Sequence, residues 1–403
     1  MRASCGEWRD SESQGEHKLR IADYLVLGFC AIPFIYYSLA LFSSWLYFSV
    51  NKPAPESNSE YTPPISCLKP IKGLDHEDYK NFASFCRQDY PEYEILFCVD
   101  PGDPAIPVIE QLIRDFPERQ IRILYGSGRN AINDKVGRLV RLVNEARHDL
   151  LVITDGDVRV GPDYLGAVAA AFRDPKVGGA TCLYASTDET KFIDELQAIG
   201  MASDFFAGIL VAWKLDGVKF MFGQTMAMTR KANEAFGGYQ KLESLPADDL
   251  LAGRLIAERG YDVKLLPYVV KSVADYQSLG DLLHKRVRWM TVMRKMRPWG
   301  HLGLVFTWGL PWAIVACITQ PSAAIAIGYL GSYLAFRVAM TWMIGIRGMR
   351  QPGLWKKMAL VPLWDALAFG IWLASFTRST IRWRGISYFV REGRLVPVNR
   401  SPA

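Results

Sequence analysis

The chain is 403 residues long, half of them apolar and 22% charged, with a net charge of +6. That charged fraction excludes a protein built wholly of membrane helices, while the length accommodates one large core or two modest ones. The charges gather between about residues 51 and 300 and long apolar runs occupy both ends, so a water-soluble domain lies between membrane segments.

Residues 1–20 form a polar N-terminal tail, cytosolic or external. The run Ile21 to Val50, IADYLVLGFCAIPFIYYSLALFSSWLYFSV, is long enough to cross a bilayer with tilt to spare. A cleaved signal peptide is the competing reading, but the run is about twice as long as a signal core and no small-residue cleavage site follows it. Tyr36, Tyr37, Trp45 and Tyr47 are candidates for the interfacial aromatic belt. The proline-rich stretch within 51–63, KPAPESNSEYTPP, ends the helix and serves as a linker. The seven cysteines form no CxxC pair, and their odd number reads as reduced thiols and membrane filler.

Residues 64–276 alternate between strand and helix patterns. ISCLKP is followed by a helix near 76–88, then EYEILFCVD, the helix PAIPVIEQLIRDF, the strand IRILYG, a helix over about 131–147, and DLLVITDGD. Short apolar strands alternating with amphipathic helices predict a doubly wound, mostly parallel sheet, whose ligands sit at the carboxyl ends of the strands. Those ends carry Lys69 and Lys72 after the first strand, Asp100 after the second and Asp155-Gly156-Asp157 after the fourth. A lone strand-end aspartate is commonly a turn or helix cap. Asp-Gly-Asp differs, because the glycine permits close approach and the strand fixes both carboxylates, an arrangement suited to a divalent cation that shares phosphate oxygens. Lys135, near the start of the third helix, is placed either to neutralise a diphosphate or to lie exposed on the helix. Asp248-Asp249 opens a later helix, where capping is the plain alternative to chemistry.

Residues 277–300 interleave basic side chains with Leu, Trp and Met, the composition of a helix lying in the membrane interface. Residues 301–377 hold apolar runs at about 303–319, 322–345 and 358–376. RGMRQPGLWKK, between the last two, is positive and therefore cytosolic, and uncharged TQPS faces outside. The tail 378–403 is also basic; simple alternation puts it outside, whereas Pro362 and Asp365 in the preceding run argue for a re-entrant or interfacial segment that keeps it inside. Lysines and arginines flank the apolar runs where anionic headgroups attract them, and nothing calls for a nucleic-acid partner.

The order KPIKG, QDYPEYEILFCVD, NDKVGRL, TDGD, FGQTMAMTRKANEAFGGY, PADDLLAGRLIAERGYDV and KRVRW resembles the nucleotide-diphospho-sugar transferases of glycosyltransferase family two and its relatives. Within that group it is most similar to the ceramide glucosyltransferase family and the related hopanoid-modifying transferases. The likeness covers roughly Pro64 to Trp299, and WRGISYFV also resembles a tail seen in those proteins. It implies a GT-A-like fold flanked by N-terminal and C-terminal transmembrane helices. It further implies an integral membrane protein with its catalytic domain facing the cytosol. Carried over by position, Asp100 matches the nucleobase contact, with Asp103 as an alternative alignment. Asp155 and Asp157 match the DxD pair, Asp157 being the direct ligand of Mg²⁺ or Mn²⁺, and Asp249 matches the catalytic base. Lys72 and Lys135 join the donor-binding set; Gln224, Arg288 and Trp289 fall to the acceptor or diphosphate. The family's last motif opens with Gln or Arg where this chain has Lys285, a charge without the planar fork.

These roles describe an inverting transfer from a nucleotide-sugar donor, UDP-glucose or UDP-N-acetylglucosamine, to a membrane lipid acceptor such as ceramide or a hopanoid. Two other readings compete. A processive polysaccharide synthase shares the carboxylates but needs enough spanning helices to line a channel, and a membrane-tethered binding module would need no second carboxylate pair.

Overall fold

The computed structural model describes residues 21–51, 61–75, 77–187, 191–273, 276–383, 386–391 and 393–398. The N-terminal tail 1–20, most of the linker 51–63 and parts of the tail 378–403 lie outside the described residues.

The apolar runs become strands β1 (Ile65–Pro70), β2 (Tyr93–Val99), β3 (Gln120–Tyr125), β4 (Leu150–Ile153), β5 (Val158–Arg159), β6 (Val177–Thr187), β7 (Met226–Thr229) and β8 (Asp262–Val273). Every residue of β1, β2 and β4 is buried, as strands covered on both faces must be. Alternate side chains feed two cores. Cys67, Ile95, Phe97 and Val152 pack with Phe82, Phe85 and Ile109 on one side, while Leu68, Leu96 and Leu151 meet Val136, Leu139 and Val140 on the other. Full burial of side chains of this size contributes about 1.5–3 kcal/mol each, so the period of two specifies the layers. Helix Asp134–Glu145 starts where the Asn133 side chain accepts from Val136 N at 3.4 Å.

The strands run in the order β3-β2-β1-β4-β7-β6-β8-β5. Pairs β1/β2, β2/β3, β1/β4 and β6/β8 are parallel, and β4/β7, β6/β7 and β5/β8 antiparallel, so the expected doubly wound sheet is mixed but mostly parallel. Reversal on both sides of β7 restores β6 to the direction of β4. The carboxyl ends of β1 to β4, β6 and β8 therefore share one edge.

Four helices are long and apolar enough to cross a membrane: Ile21–Val50, Phe192–Asp216, Ala323–Gly348 and Pro352–Thr377. The pair Pro298–Thr307 and Gly309–Thr319, bent by 57°, passes the same test as one broken segment. Phe192–Asp216 is not anticipated by the sequence reading. It joins β6 to β7, which are hydrogen-bonded neighbours through Gly179 and Met228, so both its ends return to one sheet. Pro352–Thr377 is held in the same way. Gln351 Nε2 donates to Ser186 O at 3.1 Å and Lys357 pairs with Glu195 at 3.7 Å at one end, and Arg294 donates to Arg378 O at 2.7 Å at the other. Pro362 lies in the first turn of Val361–Thr377, where its missing N–H interrupts nothing. Of the two readings for the tail, the structure takes the one that returns it to the domain. There β9 (Thr380–Trp383), β10 (Ile386–Arg391) and β11 (Arg394–Pro397) form an antiparallel sheet whose Leu395 N donates to Ser244 O at 2.7 Å.

The expected interfacial helix runs Leu279–Met296, with Leu282, Arg286 and Thr291 buried and Trp299 beyond it largely exposed. Asp365, read as an exception within an apolar run, has a partner: Arg337 Nε donates to Asp365 Oδ2 at 2.8 Å and a second guanidinium nitrogen reaches Oδ1. Tyr333 also donates to Asp365 Oδ2 at 2.7 Å, and Arg337 donates to Ser203 O where Phe192–Asp216 makes its π-turn. One buried ion pair thus ties three helices.

A buried pair broken on one side leaves an uncompensated charge. Replacing Asp365 with Asn is expected to destabilise the chain by roughly 3–5 kcal/mol, while Arg337→Met with Asp365→Leu costs less. Thermal unfolding in detergent checks this, and a double variant as unstable as the single one would refute it.

Candidate active site

The carboxyl edge collects charge from four segments far apart in sequence. Lys135, in the first turn of helix Asp134–Glu145, places its Nζ 2.8 Å from Asp155 Oδ1 and 3.3 Å from Asp248 Oδ2. Burial alone would depress the ammonium, but the carboxylates of Asp155, Asp248 and Asp249 together raise it above its ordinary value. Asp248, expected to cap the helix Asp248–Glu258, instead faces Lys135 and is nearly fully buried. Behind the loop, buried Lys69 donates to Asp155 O at 3.3 Å and lies 3.5 Å over the Phe85 ring, and burial pushes its ammonium down to about 7.

Asp157 turns the other way. Its Oδ2 accepts from Ser272 Oγ at 2.9 Å, tying the loop to β8. Burial, then the charge of Asp155, raises its carboxyl above the usual range, while Lys285 and Ser272 oppose the rise. Two half-buried carboxylates flank Gly156. Among the described residues no three His, Cys, Asp or Glu side chains form a cage. This donor set fits a cation that draws its remaining ligands from phosphate and water, as Mg²⁺ and Mn²⁺ do.

Asp249 sits across Gly223 from that pair. Gly223 N donates to Asp249 Oδ2 at 3.1 Å, Asp155 N donates to Gly223 O at 3.0 Å, and Leu250 N donates to Asp249 Oδ1 at 2.8 Å. A Cβ here would stand 2.4 Å from Asp155 Oδ2, so any side chain would displace the Asp155 carboxylate. Burial, then the neighbouring Asp248, pushes the Asp249 carboxyl up to about 6. Ala247, just before the helix, holds a left-handed φ of 56°, a strained backbone of the kind found where a site over-determines its geometry.

Asp100 and Lys72 form a second group. Buried Arg138 donates to Asp100 Oδ2 at 2.5 Å and to Asp134 Oδ2 at 2.8 Å, and Lys72 Nζ pairs with Asp134 at 2.7 Å. Asp103 is otherwise engaged: its carboxylate accepts from Gly73 N at 2.9 Å and Ala105 N at 3.0 Å, the work of a turn cap. Half-exposed Asp100 is therefore the freer of the two alternatives.

Gln224 follows Gly223 and is half-buried. Arg288 and Trp289 lie half-buried on Leu279–Met296, where Lys285 Nζ stands 5.8 Å and Arg286 5.1 Å from the Trp289 ring. Lys285 of KRVRW acts through its charge on Asp157. Arg286 is buried, donating to Gln197 Oε1 at 2.5 Å and lying 5.0 Å from the Trp364 ring. Sequence reasoning missed Arg138, Gly223 and Ser272. The signal for Arg138 was its place one helical turn after Asp134, and that for Gly223 its place beside Gln224.

Comparisons agree with this architecture. Ceramide glucosyltransferase 1 of Caenorhabditis elegans is 24% identical over 312 residues, taking in 77% of this chain and 64% of its own length. The ceramide glucosyltransferase of Gibberella zeae is 31% identical over 174 residues, 40% of this chain and 32% of its own length. The chain thus spans less than two thirds of the length of these curated relatives. Among solved structures, the mannosyltransferase PcManGT from Pyrobaculum calidifontis, in complex with GDP-Man and Mn²⁺, shares the fold with a TM-score of 0.56 and 18% identity, covering 84% of this chain and all of that one. The profile of glycosyl transferase family 21 matches residues 25–396, nearly the whole chain, and the chain belongs to that family.

Proposed function

We propose that the chain transfers a sugar from a nucleoside-diphosphate donor, UDP-glucose or UDP-N-acetylglucosamine, to the hydroxyl of a membrane lipid such as ceramide or a hopanoid, with inversion. The observation that carries this reading is the Gly223 backbone, whose N–H holds the Asp249 carboxylate and whose carbonyl accepts from Asp155 N, so that one residue separates the two aspartates. A sugar lying there has its leaving diphosphate toward Asp155, Asp157 and Lys135 and its anomeric carbon open to a hydroxyl activated from the Asp249 side. Asp249 takes the hydroxyl proton while the oxygen bonds to the anomeric carbon and the carbon–phosphate-oxygen bond breaks. Lys135 and Lys285 balance the charge left on the departing oxygens. Held by Asp157 with Asp155, Mg²⁺ or Mn²⁺ supplies further neutralisation of that charge when bound. Asp100, oriented by Arg138, receives the nucleobase, and Gln224, Arg288 and Trp289 line the acceptor or diphosphate side.

The orientation of the carboxyl edge supports a lipid acceptor. Phe192–Asp216 and Leu279–Met296 leave that edge, and Pro352–Thr377 packs with them in one apolar cluster with Trp308, Trp364 and Trp372. With two apolar helices tied back to the domain, crossings are left to Ile21–Val50, the bent pair and Ala323–Gly348. Three crossings argue against a polymer channel. Arg347, Arg350, Lys356 and Lys357 lie on the side of the domain, which the positive-inside rule makes cytosolic.

Replacing Asp249 with Asn keeps its shape and removes the proton acceptor. Turnover is expected to fall by roughly 10²–10⁴-fold with nucleotide affinity nearly unchanged; a variant that loses donor binding as much as rate refutes the base. Because a base must be ionised and this carboxyl is raised to about 6, kcat/KM should decline as pH drops below about 6, and a profile flat down to pH 4 counts against the assignment. EDTA is expected to abolish transfer and added Mg²⁺ or Mn²⁺ to restore it, with Asp157→Asn shifting the metal requirement upward. Full activity in excess chelator excludes the metal.

A further inference from the structure

Where the anchor helix ends, a cavity of about 120 Å³ opens between Phe48 and Asn51 of the anchor, Arg347 and Arg350 at the end of Ala323–Gly348, and the sheet. Its floor is made by an irregularity. Cys182 pairs with Leu266 but Leu183 pairs with Val269, so Pro267 and Tyr268 are extra residues in β8 and the sheet parts there. Its wall is made by contact: a Cβ on Gly348 would come within 2.2 Å of the Phe48 ring, so the two membrane helices meet closely just at this level. Arg350 has a left-handed φ of 56°, a conformation arginine rarely adopts, and this turn carries it to the same cavity as Arg347. Among the described residues no acidic side chain lines the cavity and neither arginine has a carboxylate partner.

We propose that this cavity holds the phosphate of an anionic membrane phospholipid. Both membrane helices end here against the domain, which is headgroup depth, and the inner leaflet's anionic lipids concentrate at clustered arginines. Two guanidinium forks offer phosphate the bidentate donors it accepts best, and Phe48 and Leu183 give the glycerol end an apolar wall. Arginines that served membrane orientation alone would need neither a cavity nor a constrained turn. The site is separate from the carboxyl-edge cluster and its occupant is not a reactant.

The test uses the full chain in detergent, incubated with phosphatidylglycerol or phosphatidylcholine and read by native mass spectrometry and thermal unfolding. The chain is expected to retain one phosphatidylglycerol, preferred roughly tenfold or more, and to be stabilised by it. Arg347→Gln with Arg350→Asn, Asn being tolerant of the left-handed turn, should lose that preference while unfolding normally in phosphatidylcholine. If the double variant fails to fold, Arg347→Gln alone carries the same readout. Removing two exposed charges elsewhere, Lys214→Gln with Lys356→Gln, should leave the preference intact. Equal retention by wild type and variant, equal loss in the control, or full stabilisation by millimolar inorganic phosphate without lipid would each overturn the proposal.

Discussion

The ammonium of Lys135, 2.8 Å from Asp155 and 3.3 Å from Asp248, joins the strand-end loop to the first turn of Asp248–Glu258. At such distances a charge pair near a protein surface is worth about 4 kcal/mol of Coulomb energy, enough to hold two segments together but not to silence four carboxylates. Burial first, and the neighbouring aspartates second, push Asp157 and Asp249 upward, and their surroundings then separate them. Asp249 keeps two backbone donors and the strained Ala247 turn that aims it. Asp157 accepts from the Ser272 hydroxyl and feels the charges of Lys285 and Lys69. One ion pair thus stands between two carboxylates in different surroundings, which the proposed mechanism assigns to proton transfer and to the cation respectively.

The same edge of the sheet faces the apolar helices. Arg286 bridges Leu279–Met296 to Phe192–Asp216 through Gln197 and lies against Trp364 of Pro352–Thr377, so the helices beneath the site are fastened to one another by polar contacts inside an apolar layer. Arg337 and Asp365 repeat that device deeper down. In a medium of lipid tails apolar packing alone gives little preference for one helix arrangement over another, and these directional bonds supply it.

Much of this was legible in the sequence, and for identifiable reasons. Strands β1 to β4 were readable because both faces are buried and their runs are unbroken, and the family was readable because seven motifs fall in order, a resemblance the family match over residues 25–396 bears out. Phe192–Asp216 escaped because Asp194, Glu195, Asp204 and Lys214 interrupt it, and those charges gain partners only after folding. The tail read as merely basic, although its alternate residues Tyr388 and Val390 pack with Ile132 and Val292, contacts more than ninety residues distant. Arg138 looked like any helix arginine because its partner Asp100 arrives from another strand. That neither Asp248 nor Asp249 caps the helix, Asp248 facing Lys135 and Asp249 facing Gly223, goes with the left-handed turn at Ala247, a single backbone angle that no residue pattern encodes.

The short strand β7 carries a burden out of proportion to its four residues. It lies between β4 and β6, so it stitches one half-sheet, β3-β2-β1-β4, to the other, β6-β8-β5, and it is synthesised only after Phe192–Asp216. An apolar helix of 25 residues is the insertion between β6 and this stitch, and it packs on the anchor helix and on the core that β6 shares. The middle of the sheet is therefore where the water-facing fold and the apolar helices are one continuous piece of chain, and a change that dislodges that helix bears directly on the joint between the two half-sheets.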